Sequence, residues 1–370
     1  MIRGGAMYTE IVKIIEGGMI GDKEKVYNYA RVLAENLEKT GDIHLSRRIR
    51  SLLSSRKPGM LALDAFASKP VDIESRMEMV DIFYPDPLFE KPLLAPYVED
   101  EIDSFVQIFH KRDEILQAGI DSVYSLLLYG PPGCGKTTTA QYISVLTELP
   151  LLTVRLDGLI SSLLGSTAKN IRKVFDFASK QSCILFLDEF DVIAKLRDDK
   201  HELGELKRVV NSLLQNIDSF SHNNILIAAT NHHELLDHAV WRRFSKIICL
   251  DRPDEDRIKK LAIKFLDSAR SGVVTNKRKL DEFAAACVGM SHADIKTVIN
   301  NAVTKAIIEG RDLVESWELL REVYLYRNHR VISDDDFIEF LLEHGVVQRE
   351  IHEGLGYSLR KIREISKKLS

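Results

Sequence analysis

Eight consecutive residues, Gly130–Thr137, read GPPGCGKT, a glycine-spaced run closed by a lysine and a threonine. Glycines at this spacing let a backbone curl until its N–H groups point inward, and such a row of N–H groups holds phosphate oxygens. The run follows an apolar stretch, VYSLLLY (123–129), and precedes a helical one, so a helix N-terminus adds partial positive charge at the same place. Pro132, Gly133, Cys134, Gly135 and Thr138 belong to that cradle, Lys136 is placed to meet a β- or γ-phosphate, and Thr137 offers a hydroxyl to Mg2+. A chance glycine turn is the competing reading. A full match between strand and helix argues against it.

A second cluster, ILFLDEFD (184–191), ends a buried-looking strand in two carboxylates. Carboxylates at the carboxyl edge of a parallel sheet stand where ligands bind in open α/β folds. Asp188 is expected to hold the metal and Glu189 to polarise an attacking water. In AATN (228–231) another apolar run ends in Asn231, an amide that could hold that water or contact a γ-phosphate. Alone it would be a turn residue. Arg242 and Arg243 in LLDHAVWRRFSKI (235–247) are either a solvated basic pair or charges delivered to a transition state.

The elements that must position these groups follow from hydrophobic periodicity. VYSLLLY, LLTVRL (151–156), CILFLD (183–188), NILIAAT (224–230) and KIICL (246–250) are almost continuously apolar, as strands buried on both faces should be, and helical stretches separate them. An α/β fold with a parallel sheet is expected. Three short helices are expected before residue 56, with helices alone after Pro253. The resulting division is an N-terminal helical bundle (1–56), a Pro-rich linker (57–99), a large α/β nucleotide-binding part (100–252), a helical lid (253–312) and a C-terminal helical tail (313–370). The N-terminal bundle is either a packing domain or a substrate-docking adaptor.

Composition excludes several classes. At 45% hydrophobic and 29% charged the 370 residues are globular, and a net charge of −4 is not that of a wholly nucleic-acid-binding surface. The four cysteines form no CxxC pair, so neither zinc nor a disulfide framework is indicated. No apolar run approaches the ~18–20 residues that span a bilayer, and MIRGGAMYTE lacks the apolar centre of a signal peptide. A cytoplasmic protein with no membrane contact is expected.

Taken in order, GPPGCGKT, LGSTAKNIRKVF (164–175), LFLDEFD, AATN and LLDHAVWRRF resemble the motifs of AAA+ ATPases, within them the AAA clade of katanin, spastin and FtsH. GMSHADI (289–295) resembles the clade's lid motif, and GELKRVVNSLLQNID (204–218) is similar to soluble bacterial members, some encoded beside subtilisin-like proteases. The resemblance covers about residues 100–310. It implies a P-loop NTPase sheet with the phosphate-loop strand central, ATP with Mg2+, and ATP hydrolysis. Lys136 and Thr137 would bind nucleotide and metal, with Asp188 and Glu189 as the Walker B pair and Asn231 as sensor. Arg242 and Arg243 would be arginine fingers entering a neighbouring subunit's site, and Ala293 would lie near the nucleotide. Fingers acting in trans imply a homo-oligomer, a hexameric ring, acting on a polypeptide substrate or on an effector protein such as a protease.

In that family the stretch LISSLLG (159–165) lines a ring's central pore. Leu163 stands where an aromatic residue is usual, Leu164 follows, and Ser166 replaces the common glutamate. A leucine lacks the flat contact area of an aromatic ring. Gln348–Ile362 has the rhythm of a degenerate helix-turn-helix, and the last dozen residues are basic, with Arg360, Lys361, Arg363, Lys367 and Lys368. His352, Gly354 and the preceding Asp334–Asp336 count against DNA, and a tail packed on the rest of the protein is the favoured reading.

Overall fold

The computed structural model describes residues 5–19, 23–40, 45–46, 48–49, 70, 79–120, 124–156, 164–192, 205–220, 224–266, 270–311 and 313–369. The chain divides into two compact units, Met1–Lys69 and Pro70–Ser370. In the first, helices α1 (Gly5–Met19) and α2 (Lys23–Thr40) pack together, with Leu33, Ala34 and Leu37 buried and Asn36 donating to Glu10 at 3.3 Å. The third helix expected here falls largely outside the described residues.

The second unit opens with β1 (Asp81–Phe83), α3 (Pro96–His110) and α4 (Arg112–Gln117). It continues through β2 (Ser125–Tyr129), α5 (Lys136–Thr147), β3 (Leu151–Arg155), α6 (Leu164–Ser179), β4 (Ile184–Asp188), α7 (Glu205–Asp218), β5 (Ile225–Thr230), α8 (His238–Trp241) and β6 (Lys246–Cys249). The strand order is β1-β3-β4-β5-β2-β6, with β1 antiparallel to β3 and every other pairing parallel. All five expected strands are present, and β2 lies inside the sheet between β5 and β6.

Their continuous apolarity has the anticipated cause. Leu126, Leu128, Ile184, Phe186, Ile225 and Ile227 share one core with Val98, Ile102 and Phe105 of α3 and Ala140 and Ile143 of α5. The alternating residues Leu127, Leu185, Leu187, Leu226 and Ala228 are equally buried, as the period-2 geometry of a strand covered on both faces requires. The stretch expected to be a linker contributes more than a connection: β1 forms the sheet's edge, and α3 starts within it with Pro96 in its first turn, where a missing N–H costs nothing.

The remaining elements are α9 (Glu255–Leu266), β7 (Arg270–Ser271), α10 (Gly272–Thr275), α11 (Lys277–Ala286), α12 (His292–Ile308), β8 (Leu313–Val314), α13 (Ser316–Asn328), α14 (Asp334–Glu343), α15 (Gln348–Leu355) and α16 (Leu359–Leu369). The expected helices are joined by one parallel pair of two-residue strands, β7 and β8. One continuous core runs through all of it, from Ile258 and Leu261 through Phe283, Ile295 and Leu319 to Ile338, Ile351, Ile362 and Ile365. Packing therefore has no break at 312/313, where a boundary between lid and tail was expected; helical periodicity reveals a buried face but not what covers it. No helix among the described residues is long and apolar enough to cross a membrane.

Candidate active site

The phosphate loop leaves β2 and enters α5. Gly135, in the left-handed region at φ 89°, precedes the helix without any side-chain cap, so the first N–H groups of α5 stay available to an anion. Lys136 Nζ donates to Gly130 O at 2.8 Å and Pro131 O at 2.9 Å, which lays the ammonium inside the loop. Burial pushes its pKa down. Pro132, Gly133, Thr137 and Thr138 are exposed, whereas Cys134 is buried and its thiol is pushed up by that burial. The protonated thiol is a small packing group, not a reactive one.

The carboxylates meet this loop from β4. Thr137 Oγ1 donates to Asp188 Oδ2 at 3.3 Å, and Asp188 Oδ1 accepts from Glu189 N at 2.9 Å. Two oxygen donors of the kind that bind a hard divalent cation thus lie side by side. Glu189 is half-buried and its φ is +55°, a left-handed turn that re-aims the chain at the sheet's edge. Phe190 N then bonds to Ala229 O at 2.8 Å, and the buried Asp191 accepts from Thr230 Oγ1 at 3.2 Å. His232 N donates to the same Thr230 oxygen at 3.0 Å. This brace brings the turn carrying half-buried Asn231 beside the turn carrying Glu189. Asp191 and Thr230 stand within the two quoted motifs, so their signal was present although no role was read from it.

Ala293 approaches from the start of α12, in the stretch expected to form a lid. Its N–H donates to Gly133 O at 3.1 Å. A β-carbon on Gly133, whose φ is +74°, would lie 2.4 Å from Ser291 Oγ and 3.0 Å from Ala293 Cβ, so only glycine fits this contact. Ser291 and Asp294 cap α12 reciprocally. Burial works to raise the Asp294 pKa, but hydrogen bonds from Tyr326 and Ser291 bring it below the ordinary value. His292 Nε2 lies 3.2 Å from Leu93 O, tying the same helix end to the segment before α3.

The paired arginines have different surroundings. Arg243 forks onto Asp218, the last residue of α7, with Nε–Oδ1 2.8 Å and Nη2–Oδ2 3.0 Å, while its Nη1 donates to Ala239 O. All three nitrogens are engaged. Arg242 is exposed, and its side chain has no hydrogen bond or ion pair among the described residues. Nothing in the sequence linked Asp218 to a residue 25 positions away. The turn is fixed to β2: Ser125 Oγ donates to Arg243 O at 2.9 Å and Ser245 Oγ to Ser125 O at 2.8 Å. Ser125 begins β2 and the phosphate loop follows its end, so the backbone turn bonded to Ser125 lies a strand's length from the loop, about 16 Å at ~3.3 Å per residue, while the ring of the preceding Trp241 reaches Tyr129 at the far end of β2, with centroids 5.7 Å apart. Leu163 lies outside the described residues, and Leu164 is the first residue of α6.

A mostly parallel sheet, a phosphate loop on an interior strand, and carboxylates at the neighbouring strand's end together define a P-loop nucleotide-binding protein. The family model described as "ATPase family associated with various cellular activities (AAA)" matches residues 126–252. The chain is 39% identical over 310 residues to the uncharacterized AAA family ATPase y4kL of Sinorhizobium fredii, covering 82% of this chain and 86% of that one. It is 31% identical to proteasome-activating nucleotidase 1 of Haloferax volcanii, covering 69% of this chain and 65% of that relative. The crystal structure of the FIGL-1 AAA domain has the same fold, with a TM-score of 0.58 over 76% of this chain and 97% of that one, at 19% identity. The chain belongs to the AAA family of ATPases.

Proposed function

We propose that the protein binds ATP with Mg2+, hydrolyses it, and uses the cycle in a homo-oligomeric ring, a hexamer, to remodel a protein substrate. The observation that carries the reading is the Thr137–Asp188 contact, 3.3 Å apart, beside the uncapped start of α5. This donor set fits a magnesium nucleotide: uncapped N–H groups and a lysine for phosphate oxygens, a hydroxyl and a carboxylate for a hard cation. When bound, Mg2+ supplies charge neutralisation at the phosphates. Lys136 exchanges its two loop carbonyls for phosphate oxygens. Glu189 orients the attacking water as general base, and Asn231 holds the far side of the same space. Ala293 keeps the lid against the phosphate loop.

The strand-length separation supports trans action. Arg242, exposed and unpaired, is suited to stabilise transition-state charge in a neighbouring subunit, while Arg243 holds the turn that presents it. The names of the relatives support work on proteins: one is a proteasome-activating nucleotidase, and an ATP-dependent zinc metalloprotease FtsH of Sulfurovum is 30% identical over 65% of this chain. Leucine at position 163 favours a second reading, a nucleotide-driven switch controlling an effector such as a protease. Leu163→Ala separates them: under the remodelling reading, ATPase persists and substrate processing is lost at least tenfold. Glu189→Gln tests the common core. It is expected to retain ATP, lose hydrolysis, and hold the substrate or effector in an ATP-dependent pull-down; undiminished hydrolysis refutes the assignment.

A further inference from the structure

Three features of the tail count against nucleic acid, and the packing of α15 accounts for two of them. A β-carbon on Gly354 would lie 2.6 Å from the Trp317 ring, so this glycine lets α15 close on α13. His352 stays at the surface, with Nδ1 2.6 Å from Tyr357 O across the turn. Between α15 and α16 the turn is short: Gly356 at φ 76°, then Tyr357 and Ser358. Helix α14 packs against both, and Ile351, Ile362 and Ile365 point into the shared core. This is a helix-turn-helix on a fixed base.

The outward side of α16 is basic. At about 100° per residue, Arg360, Arg363 and Lys367 fall within about 60° of one another, opposite Ile362 and Ile365. All three are exposed, as is Lys368. The side chains of Arg363, Lys367 and Lys368 have no ion pair or hydrogen bond among the described residues. Arg360 pairs only with Glu364 on its own helix, at 3.1 Å with both side chains in solvent, a pairing that exchanges readily. The acidic start of α14 does not face this ridge. Asp334 and Asp335 are held by Lys361 at 3.1 and 3.0 Å, and Asp334 also by Tyr357, on the flank of α16.

The geometry points to α16 as a helix that enters the major groove of duplex DNA, with α15 crossing the backbone beside it. Eleven residues make a rod about 16 Å long, and the B-form major groove, about 12 Å wide, admits such a helix. The A-form RNA groove is too narrow for it. Arg363 and Lys367, unpaired, and Arg360, held only by a solvent-exposed pair, form a ridge that suits phosphates and base edges, and the ridge carries no large apolar side chain of the kind a protein groove would take. This adds a second ligand class, remote from the nucleotide.

The test is fluorescence anisotropy of the full-length protein with a labelled mixed-sequence DNA duplex at ~50 mM salt, repeated with rising salt. Binding is expected, with a log–log salt slope of roughly −3 for three neutralised phosphates. The double variant Arg363→Glu, Lys367→Glu should bind at least tenfold more weakly with a slope shallower by about 2. Its helix content and thermal midpoint should be those of the unmodified protein, because both side chains are in solvent. No DNA bound at that salt, binding untouched by the double reversal, or equal retention of an RNA duplex overturns the proposal.

Discussion

Glu189 holds φ at +55°, a conformation that costs a residue with a β-carbon on the order of 1–2 kcal/mol. Bonds on either side, Glu189 N to Asp188 and Phe190 N to Ala229, hold the turn open at that cost. Two variants that both delete the carboxylate should therefore differ. Glu189→Gly is expected to be more stable than Glu189→Ala by about 1 kcal/mol, read from denaturant midpoints, because only alanine suffers the left-handed strain. Arg242 and Arg243 separate in another way. Arg242→Ala should lower hydrolysis by about 10³ with nucleotide affinity retained. Arg243→Ala and Asp218→Asn should produce one smaller loss that does not double when they are combined. Full activity in Asp218→Asn alongside a dead Arg243→Ala would mean that Arg243 itself reaches the neighbouring site.

Among the elements, α15 presents a contest of known magnitudes. Alanine exceeds glycine in a helix by about 1 kcal/mol, yet at position 354 its methyl would meet a rigid indole at 2.6 Å. Overpacking costs typically 1–3 kcal/mol. Gly354→Ala should lower the thermal midpoint by several degrees without changing nucleotide affinity. The same glycine explains where reading a sequence stops. Its cost in a helix is local and legible; Trp317, 37 positions earlier, is not. The four inner strands were legible because burial on both faces leaves continuous apolar runs, and the edge strand β6 carries a similar run, KIIC, although Ile247 is exposed. β1 was not, since three residues at an edge among prolines carry no period. Lys136, Thr137, Asp188 and Glu189 could be singled out from the sequence because local motifs carry them. Asp218 and the Ser125–Ser245 pins could not, because only the folded sheet brings them to the arginine turn.

For the whole molecule, the proposed sharing of catalysis between subunits would have a direct signature. On that proposal Glu189→Gln subunits would carry intact fingers and silent sites, and Arg242→Ala subunits intact sites and no finger. Each alone should be inactive. Mixed, they should recover a fraction of the unmodified rate through hybrid interfaces, measurable as phosphate release against mixing ratio. No recovery in a mixture shown to co-assemble would place both groups in one chain's own site. The core shared by residues 258–365 has a mechanical consequence. Lid and tail have no seam between them, and they touch the phosphate loop through the Ala293–Gly133 hydrogen bond. If that bond and the neighbouring His292–Leu93 tie act together as a pivot, a rotation of a few degrees there would carry the far end of α16 through a much larger arc, without any rearrangement inside the shared core.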